Sequence, residues 1–320
     1  MNTITSKFRK HGKALLILGH IGALIAVIPW GTSFLSTKVL MQDGGFSPVE
    51  MFSYRFAVAY LLLLLLTFRK IFANNWKDEL NLAVCGICAG SLYFITEKYA
   101  LLHTTTGNVS LLASVSPIMT TLLVAAIYKT RISFGVALGS VVAFFGVACI
   151  IFSHGEGFVI KPLGDCLALS ASLSWAIYTI VAKNLIPKYS SLFITRKMFF
   201  YGVLSALPLL LSETPVNVIG YHLAELLDFS NPQYILNFLF LVVMCSCMSY
   251  LLWNECMKIL GPVAANNYMY FQPLVTMVAG YFILGEDITF LGYLGCFLVI
   301  SGLVAADKMK SGIRFIRRSH

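Results

Sequence analysis

Residues 133–152 read SFGVALGSVVAFFGVACIIF, an unbroken run in which no side chain carries a charge. A helix that crosses the hydrocarbon core of a bilayer needs about 20 predominantly apolar residues. The run meets that length and lacks the polar face expected of a helix on the surface of a soluble domain. It therefore predicts a membrane-spanning helix.

The rest of the chain has a similar composition. Its 320 residues are 58% hydrophobic and 12% charged, whereas soluble domains carry about 25% charged residues. The mean hydropathy of +0.81 indicates the same class. These values exclude a disordered chain, a fibrous repeat and an ordinary soluble enzyme, and they predict an all-α polytopic membrane protein.

Ten apolar segments follow one another along the chain, and we number them 1 to 10. The links between them are short, and the longest, 212–233, is polar enough to hold a short surface helix. We therefore expect ten transmembrane helices and a multi-pass protein of the plasma or inner membrane. The segments are 14–37, 48–67, 82–101, 105–127, 133–152, 164–182, 192–211, 234–257, 263–284 and 289–306.

The basic residues indicate the orientation, because Lys and Arg concentrate in the cytoplasmic links of membrane proteins. With the N-terminus inside, the outer links keep Lys161 as their one clear base, and both termini are cytoplasmic. We expect 1–13 to be a cytoplasmic N-terminal segment and 307–320 a basic cytoplasmic tail that contacts anionic lipid. The bases of the inner links are Arg69, Lys70, Lys77, Lys129, Arg131, Lys183, Lys188 and Lys258.

The two halves of the chain resemble each other, since 117–150 aligns with 273–306 without a gap. Five helices are an odd number, so a second copy enters the membrane from the opposite side. The sequence thus predicts two inverted five-helix repeats, 14–153 and 164–306, an architecture found in many secondary transporters. The matched pairs are Trp30 with Trp175, Tyr93 with Tyr250, Pro117 with Pro273, Gly139 with Gly295, and Gly146 with Gly302.

These residues and their order resemble the EamA family of the drug/metabolite transporter superfamily over residues 16–306. The motifs that carry the resemblance are Trp30-Gly31-Thr32-Ser33-Phe34, the helix around Trp175, Ser116-Pro117, Gln272-Pro273 and Leu284-Gly285-Glu286. The first half departs from the pattern, with Lys129-Thr130 where the second half has Gly285-Glu286. The resemblance implies ten helices, transport of small metabolites, commonly outward, and no cofactor.

We therefore expect a secondary transporter that exports amino acids or related small metabolites by alternating access. The alternatives are an uptake permease or a passive facilitator of the same solutes, and an intramembrane lipid-modifying enzyme. The sequence contains no Walker A pattern, so ATP-driven transport is not expected. It also shows no basic groove, so nucleic acid is not an expected partner. The eight cysteines are interpreted as small packing residues and not as metal ligands. Membrane lipid and a small-molecule substrate are the expected partners of a monomer or homodimer.

Ionisable and polar groups inside a membrane are candidate functional residues. Tyr93 and Glu97 share a helix face, and their repeat mates are Tyr250 and Asn254. Glu97 is a candidate for binding a substrate amine or for carrying a coupling proton. The alternative is that Glu97 reaches the membrane interface beside Lys98.

A second set of candidates surrounds two prolines, which free backbone carbonyls inside the membrane and so distort their helices. Ser110, Ser114 and Pro117 share a face of segment 4. The matching face of segment 9 carries Asn266, Tyr270 and Pro273, with Gln272 beside it. These side chains are predicted to line the substrate pathway, and the alternative is hydrogen bonding between helices.

The remaining candidates lie in segments 1, 2 and 6. Trp30 and Ser33, and likewise Trp175 and Tyr178, are predicted to wall the pathway or to pack against neighbouring helices. His20 is a candidate for proton coupling, and a hydrogen bond to a neighbouring helix is the alternative. Arg55 is interpreted as an interfacial ion pair with Glu50, with attraction of an anion as the alternative.

Overall fold

The computed structural model describes residues 2–153, 160–226 and 232–308, in which helices account for nearly all regular structure and no strand occurs. Nine of the helices in these ranges are long and apolar enough to cross a membrane. The prediction of an all-helical, multi-pass membrane protein is confirmed. The nine spans are Ala14–Asp43, Pro48–Thr67, Trp76–His103, Gly107–Tyr128, Phe134–Phe152, Pro162–Leu185, Ser191–Glu213, Pro232–Leu260 and Phe290–Asp307.

Several spans consist of more than one helical piece. The α-helices are Asn2–Lys38, Pro48–Thr67, Trp76–Gly86, Tyr93–His103, Thr106–Ala113, Ser116–Tyr128, Phe134–Phe152, Pro162–Leu185, Ser191–Glu213, Val216–Leu226, Pro232–Leu239, Ser249–Leu260, Pro262–Asn266, Phe271–Ala279 and Phe290–Lys308. Wider π-helical turns occupy Val39–Asp43, Ile87–Leu92, Phe240–Met248 and Gly280–Leu284, and a tighter 3-10 turn occupies Asn267–Tyr270. The helix Val216–Leu226 confirms the surface helix expected in the link after segment 7.

Segment 3 begins six residues earlier than hydropathy predicted. Asn75 caps its first turn by accepting a hydrogen bond from the Asp78 amide. Asp78 and Glu79 also lie in that turn, where a negative charge is favourable against the helix dipole. The predicted start at residue 82 was therefore wrong, because hydropathy places charged residues outside a span.

Segment 9 is helical from residue 262 to residue 284 but changes its type three times. It runs from the α-helix Pro262–Asn266 through the 3-10 turn to Phe271–Ala279, and it ends in the π-helical turn. Pro273 lacks the amide hydrogen that a regular helix would need at that position. The 3-10 turn Asn267–Tyr270 divides segment 9 into shorter helices, so it is not one of the nine continuous spans.

The interruptions fall at equivalent positions of the two halves. The offset that aligns Tyr93 with Tyr250 also superimposes the π-helical turn Ile87–Leu92 on the end of Phe240–Met248. Segment 4 is interrupted after Ala113, and its aligned partner, segment 9, contains the 3-10 turn Asn267–Tyr270. Segments 3 and 8, and segments 4 and 9, are therefore irregular at matching positions.

Segments 5 and 10 pack backbone against backbone. A Cβ atom on Gly146 would lie 2.6 Å from the amide nitrogen of Val299, and one on Gly295 would lie 2.6 Å from the Gly146 carbonyl oxygen. Gly139 and Gly302 make a second contact of the same kind. Small residues permit such close approach in membranes, so this pair of helices forms a tight unit beside the others.

Candidate functional site

A cavity of about 350 Å³ lies between segments 1, 3, 4, 5 and 9. We call it the Glu97 cavity. It is near the lower limit of the range of small-molecule sites, about 300–1,000 Å³. Its polar lining residues are Tyr93, Glu97, Ser110, Ser114, Gln272, Thr276 and Glu286, and its apolar and small ones are Phe34, Gly107, Ala113, Ile150, Ile151, Met269, Pro273 and Met277.

The Glu97 cavity lies at one end of the bundle. Gly107 and Ile151 lie at the ends of segments 4 and 5, and Glu286 lies in the link after segment 9. Glu97 lies less than two turns from the end of its helix at His103. Phe34 and Met269 extend the wall toward the centre of the bundle. A small molecule in the cavity would therefore meet carboxylates at this end and apolar groups around them.

Glu97 holds two partners while facing the cavity. The Tyr93 hydroxyl donates to its Oε1 at 3.2 Å, and the Lys98 ammonium lies 3.2 Å from its Oε2. Both carboxylate oxygens are thus engaged by groups of segment 3. Glu97 therefore faces the cavity, as expected of a group that binds an amine or carries a proton. It also contacts Lys98, as expected of a residue that reaches the membrane interface.

Glu286 is a cavity residue that sequence reasoning missed. Gly285 has φ +70°, a left-handed conformation that ends segment 9 and reverses the chain. The Glu286 amide then donates to the Gly280 carbonyl at 3.3 Å, and its carboxylate occupies space that a Cβ on Gly280 would fill. The signal was Leu284-Gly285-Glu286, which the sequence analysis used only as a motif of the family resemblance.

Beneath the cavity lies a buried cluster of aromatic rings. Trp30 is within 5.3–5.6 Å, centroid to centroid, of Trp175, Tyr250 and Trp253. Tyr93 joins the cluster through Trp175 at 5.5 Å and also lines the cavity. The paired tryptophans of the two halves therefore meet in the centre of the protein.

The predicted asparagines bind this cluster to neighbouring helices. The Trp175 indole donates to Asn266 Oδ1 at 2.9 Å, and the Asn266 amide in turn donates to Thr120. On the other side, the Tyr178 hydroxyl donates to Asn254 Oδ1 at 3.0 Å. Both asparagines are fully buried, so in this state they make helix-to-helix hydrogen bonds.

Asn254 and Tyr250 extend the same network to segments 7 and 3. The Asn254 amide donates to Thr195 at 3.0 Å, and the Tyr250 hydroxyl donates to the Ala89 carbonyl at 3.0 Å. Ala89 lies in the π-helical turn Ile87–Leu92, where carbonyls lack some of their usual helical partners. The distortion of segment 3 therefore supplies an acceptor for its repeat-related tyrosine.

The structure places the other predicted residues as follows. Ser33 bonds to the Trp30 carbonyl of its own helix at 2.8 Å, and Tyr270 is buried in a separate apolar cluster with Val147 and Val299. Pro117 lies in the first turn of Ser116–Tyr128, directly after the break in segment 4. Sequence analysis therefore grouped residues that the fold divides between the cavity and the packed core.

His20 lies at the opposite end from the Glu97 cavity. Its Nδ1 is 2.6 Å from the Tyr268 hydroxyl, and its Nε2 is 3.8 Å from Asp307. The contact with Tyr268 joins segments 1 and 9. This geometry favours the hydrogen-bonding interpretation of His20 over a role in the cavity.

Arg55 does not form the predicted ion pair with Glu50. Glu50 instead contacts His222 Nδ1 at 2.8 Å, accepts from Tyr54, and caps its own helix at Ser47. Arg55 is only 7% exposed, and its Nε donates to Ser246 Oγ at 2.5 Å. The earlier prediction was wrong because the helix cap turns Glu50 toward the link and away from Arg55.

Charged pairs join the helices at the end of the bundle that lies away from the cavity, which we call the Asp78 end. Lys188 lies 2.8 Å from Asp78, which also accepts from Tyr189 at 2.9 Å. Tyr189 lies in the link between segments 6 and 7, where burial raises the pKa of its hydroxyl and keeps it a donor. Segments 3, 6 and 7 are therefore held together by this carboxylate.

A second carboxylate and an arginine strengthen the same end. Glu79 pairs with Lys197 and accepts from Tyr201 at 2.5 Å and from the Ala73 amide at 2.7 Å. Arg196 donates to the Thr67 carbonyl at 2.6 Å and to the carbonyls of Lys70 and Ile71, which terminate segment 2. Both Lys197 and Arg196 are buried, so segment 7 contacts segments 2 and 3 through desolvated cations.

Metal binding gains no support from the described side chains, since they contain no group of three or more His, Cys, Asp or Glu positioned to hold an ion.

The sequence model of the EamA-like transporter family matches the chain twice, over residues 17–152 and 162–306. The chain belongs to the EamA-like transporter family. The two matched ranges contain all of the irregular helices and every residue that lines the Glu97 cavity.

Individual relatives agree with this assignment. An uncharacterized transporter of Archaeoglobus fulgidus is 26% identical over 89% of this chain and 95% of its own length. A probable terminal-alkyne amino-acid exporter of Streptantibioticus cattleyicolor is 24% identical over 91% of this chain and 94% of its own. A solved crystal structure with 15% identity superimposes with a TM-score of 0.73 over 92% of this chain and 96% of that chain, which shows a shared fold.

Proposed function

We propose that the chain is a secondary transporter that exports amino acids or related small metabolites across the plasma or inner membrane by alternating access. The contrast between the two ends of the bundle carries the proposal. The Glu97 cavity lies between the helices at one end. At the other end, ion pairs join the helices, and the hollow of about 490 Å³ beside Glu79 and Tyr201 lies at the surface among exposed side chains such as Phe72 and Trp76. A carrier that works by alternating access has this asymmetry in each of its two end states.

The proposed topology has ten transmembrane helices in two inverted five-helix repeats, 14–153 and 164–306, with both termini in the cytoplasm. It is supported by the two separate matches of the family and by the distortions at aligned positions. Segment 9 is then the tenth span, and its irregular turns border a cavity, where a membrane protein tolerates them. The Glu97 cavity faces outward, and the Asp78 end faces the cytoplasm.

Export then requires the Asp78 end to open while the cavity closes. Lys188 is half exposed, so its pair with Asp78 is weak enough to break and re-form. The buried pair of Lys197 with Glu79 needs a replacement environment, which water entering from the cytoplasm supplies. We propose that the substrate enters when these pairs separate and leaves through the Glu97 cavity.

Amino acids are the first substrates to test, because one relative is named as a probable exporter of amino acids. The cavity supports this choice with carboxylates for an amine and with the apolar side chains of Phe34, Ile150 and Met269. Glu97 is the proposed amine-binding group and the proposed carrier of a coupling proton. The relatives named as transporters support transport, and not catalysis, as the activity.

The test is counterflow in liposomes that contain the purified protein. Vesicles loaded with unlabelled L-leucine or L-phenylalanine are diluted into a trace of the same labelled amino acid, and its accumulation is followed. A carrier concentrates the label transiently because the excess unlabelled solute inside competes with the label for the inner-facing site and slows the exit of the label. Protein-dependent flux without this overshoot identifies a pore, and no flux for any amino acid in a full panel contradicts the proposed substrate class.

A further inference from the structure

Arg55 is a desolvated cation that no described acidic group neutralises. It lies in the second turn of Pro48–Thr67 and is only 7% exposed. Its Nε donates to Ser246 Oγ at 2.5 Å, and its guanidinium carbon lies 5.4 Å and 5.5 Å from the ring centres of Phe56 and Phe94. Within the described residues, the two terminal nitrogens donate to no oxygen, and no carboxylate pairs with this side chain.

This arrangement leaves Arg55 incompletely compensated. A buried charge is destabilising unless an opposite charge or several hydrogen bonds replace its lost water. The two aromatic faces and one hydroxyl replace only a part. The Nε bond to Ser246 also fixes the plane of the guanidinium, so that its two terminal nitrogens project as a fork. Such a fork matches the two oxygens of a carboxylate.

Two neighbouring aromatic rings of segment 3 connect Arg55 to the wall of the Glu97 cavity. Phe94, which packs on Arg55, is 5.4 Å from the neighbouring ring of Tyr93. Tyr93 lines the cavity and donates to Glu97. A guanidinium and a carboxylate therefore stand on the two sides of one aromatic pair in segment 3.

The backbone on both sides of Arg55 is irregular. The rings of Tyr93 and Phe94 directly follow the π-helical turn Ile87–Leu92, in which Gly90 has non-helical torsion angles. Ser246, which holds Arg55, belongs to the π-helical turn Phe240–Met248. Such turns often mark functional sites. A change in either turn would shift the rings relative to Arg55.

We infer that Arg55 binds the carboxylate of a zwitterionic substrate whose amine is bound by Glu97, so that the two residues select α-amino acids over amines. This inference rests on the proposed function and adds a specificity-determining residue to it. The carboxylate reaches Arg55 when the Tyr93 and Phe94 rings move apart, in a state in which the substrate is enclosed. Ser246 is the positioning residue that keeps the fork directed at the substrate.

The other explanation is a purely structural one, in which Arg55 ties segment 2 to segment 8 through Ser246. The two explanations differ in what they predict for the substrate. A structural tie affects the transport of all solutes alike, whereas a carboxylate-binding residue affects only solutes that carry a carboxylate.

The experiment compares L-leucine with L-leucinamide, and L-phenylalanine with L-phenylalaninamide, in liposomes containing wild-type protein or a variant. The wild type is expected to have a KM at least about tenfold lower for each acid than for its amide, since a charge-assisted bidentate pair is lost with the amide. Arg55→Gln should bring the two KM values together. Ser246→Ala should raise the KM of the acid several-fold and keep the preference for it.

Arg55→Lys decides the question if the glutamine variant does not reach the membrane. Lysine keeps the charge but not the fork, so the KM of the acid should rise while that of the amide stays unchanged. An equal change for acid and amide in the variants, or a wild type without preference, overturns the inference and leaves Arg55 a structural tie. Failure of the wild type to transport either member of any pair in the full amino-acid panel counts instead against the proposed function and removes the inference with it.

Discussion

Trp30 and Trp175 meet edge to face in the centre of the protein, with ring centroids 5.6 Å apart. They occupy aligned positions in the two halves of the chain. Each indole also donates a hydrogen bond, Trp30 to the Cys245 carbonyl at 2.8 Å and Trp175 to Asn266 at 2.9 Å. The contact thus joins segments 1, 6, 8 and 9 at the base of the Glu97 cavity.

Trp175→Phe should destabilise the protein by about 1–3 kcal/mol, because it leaves the fully buried Asn266 oxygen without its donor. Phenylalanine keeps one ring near Trp30 but is smaller than the indole, so lost packing adds to the loss of the hydrogen bond. Thermal unfolding in detergent measures the effect. The matched control is Trp175→Phe combined with Asn266→Leu, which removes both polar partners and should recover part of the loss. Equal melting temperatures for the wild type and Trp175→Phe would show that the bond contributes nothing.

Glu97→Gln should lower the transport of L-leucine at least about tenfold, because the substrate amine loses a charged acceptor. Lys98→Gln is the control, since it removes the neighbouring charge and leaves the Glu97 carboxylate in the cavity. Tyr93→Phe removes the donor to Glu97 and should raise the KM only a few-fold. Initial rates in liposomes at matched protein density are the measurement. Unchanged, still proton-dependent transport by Glu97→Gln would exclude both roles proposed for this residue.

Lys197→Met should reduce stability by about 3–5 kcal/mol, because it leaves the Glu79 carboxylate without its buried cation. Lys188→Met is the matched control at the same end of the bundle. Its ammonium is half exposed, so we expect a change of about 1 kcal/mol or less. A double variant, Lys197→Met with Glu79→Gln, should recover much of the loss. The prediction fails if the two single variants unfold at the same temperature.

Gly139→Leu should separate segments 5 and 10, because its side chain would collide with the Gly302 carbonyl and with Ala306. We expect a loss of at least about 1–3 kcal/mol, as for other overpacked cores. Gly220→Ala is the control, since a Cβ there would meet nothing within 4 Å and alanine favours its helix. Melting temperature and the monodisperse yield in detergent measure both variants. A Gly139→Leu protein as stable as Gly220→Ala would contradict the close contact.

Cysteine labelling tests the proposed orientation. Single cysteines at the exposed positions Lys161 and Arg131, in a background without the native cysteines, should react with an impermeant maleimide from opposite sides of intact cells. Lys161→Cys should react from outside, and Arg131→Cys only after the cells are opened. The reverse pattern would invert the topology and would place the Glu97 cavity on the cytoplasmic side.

Hydropathy alone predicted nearly all of the spans, because a run such as Phe134–Phe152 needs no partner to reveal its environment. It misjudged the start of segment 3, where Asp78 and Glu79 are charged but neutralised by Lys188 and Lys197 from distant parts of the chain. Long-range pairing of this kind leaves no local pattern. The pairing of Arg55 with Glu50 failed for a different reason, because the capping box of Ser47 and Glu50 is a local pattern that the sequence analysis did not use.

The cavity was predicted in part. The faces carrying Glu97, Ser110 and Ser114 follow from helical periodicity, and these residues do line the cavity. Glu286 lies outside any such period, because its position depends on the left-handed turn at Gly285. The division between cavity residues and packed residues such as Asn254 depends on helix rotation, which one sequence does not specify.

The glycine contacts between segments 5 and 10 also bear on the surrounding lipid. Two helices that touch through their backbones do not slide past each other without collision, so we expect them to move as one rigid unit. Their outer faces present the exposed rings of Phe145 and Phe297 to the acyl chains. The surface that this side presents to lipid then stays the same through every turnover, and the change in protein perimeter during transport is taken up by the bilayer around the other helices.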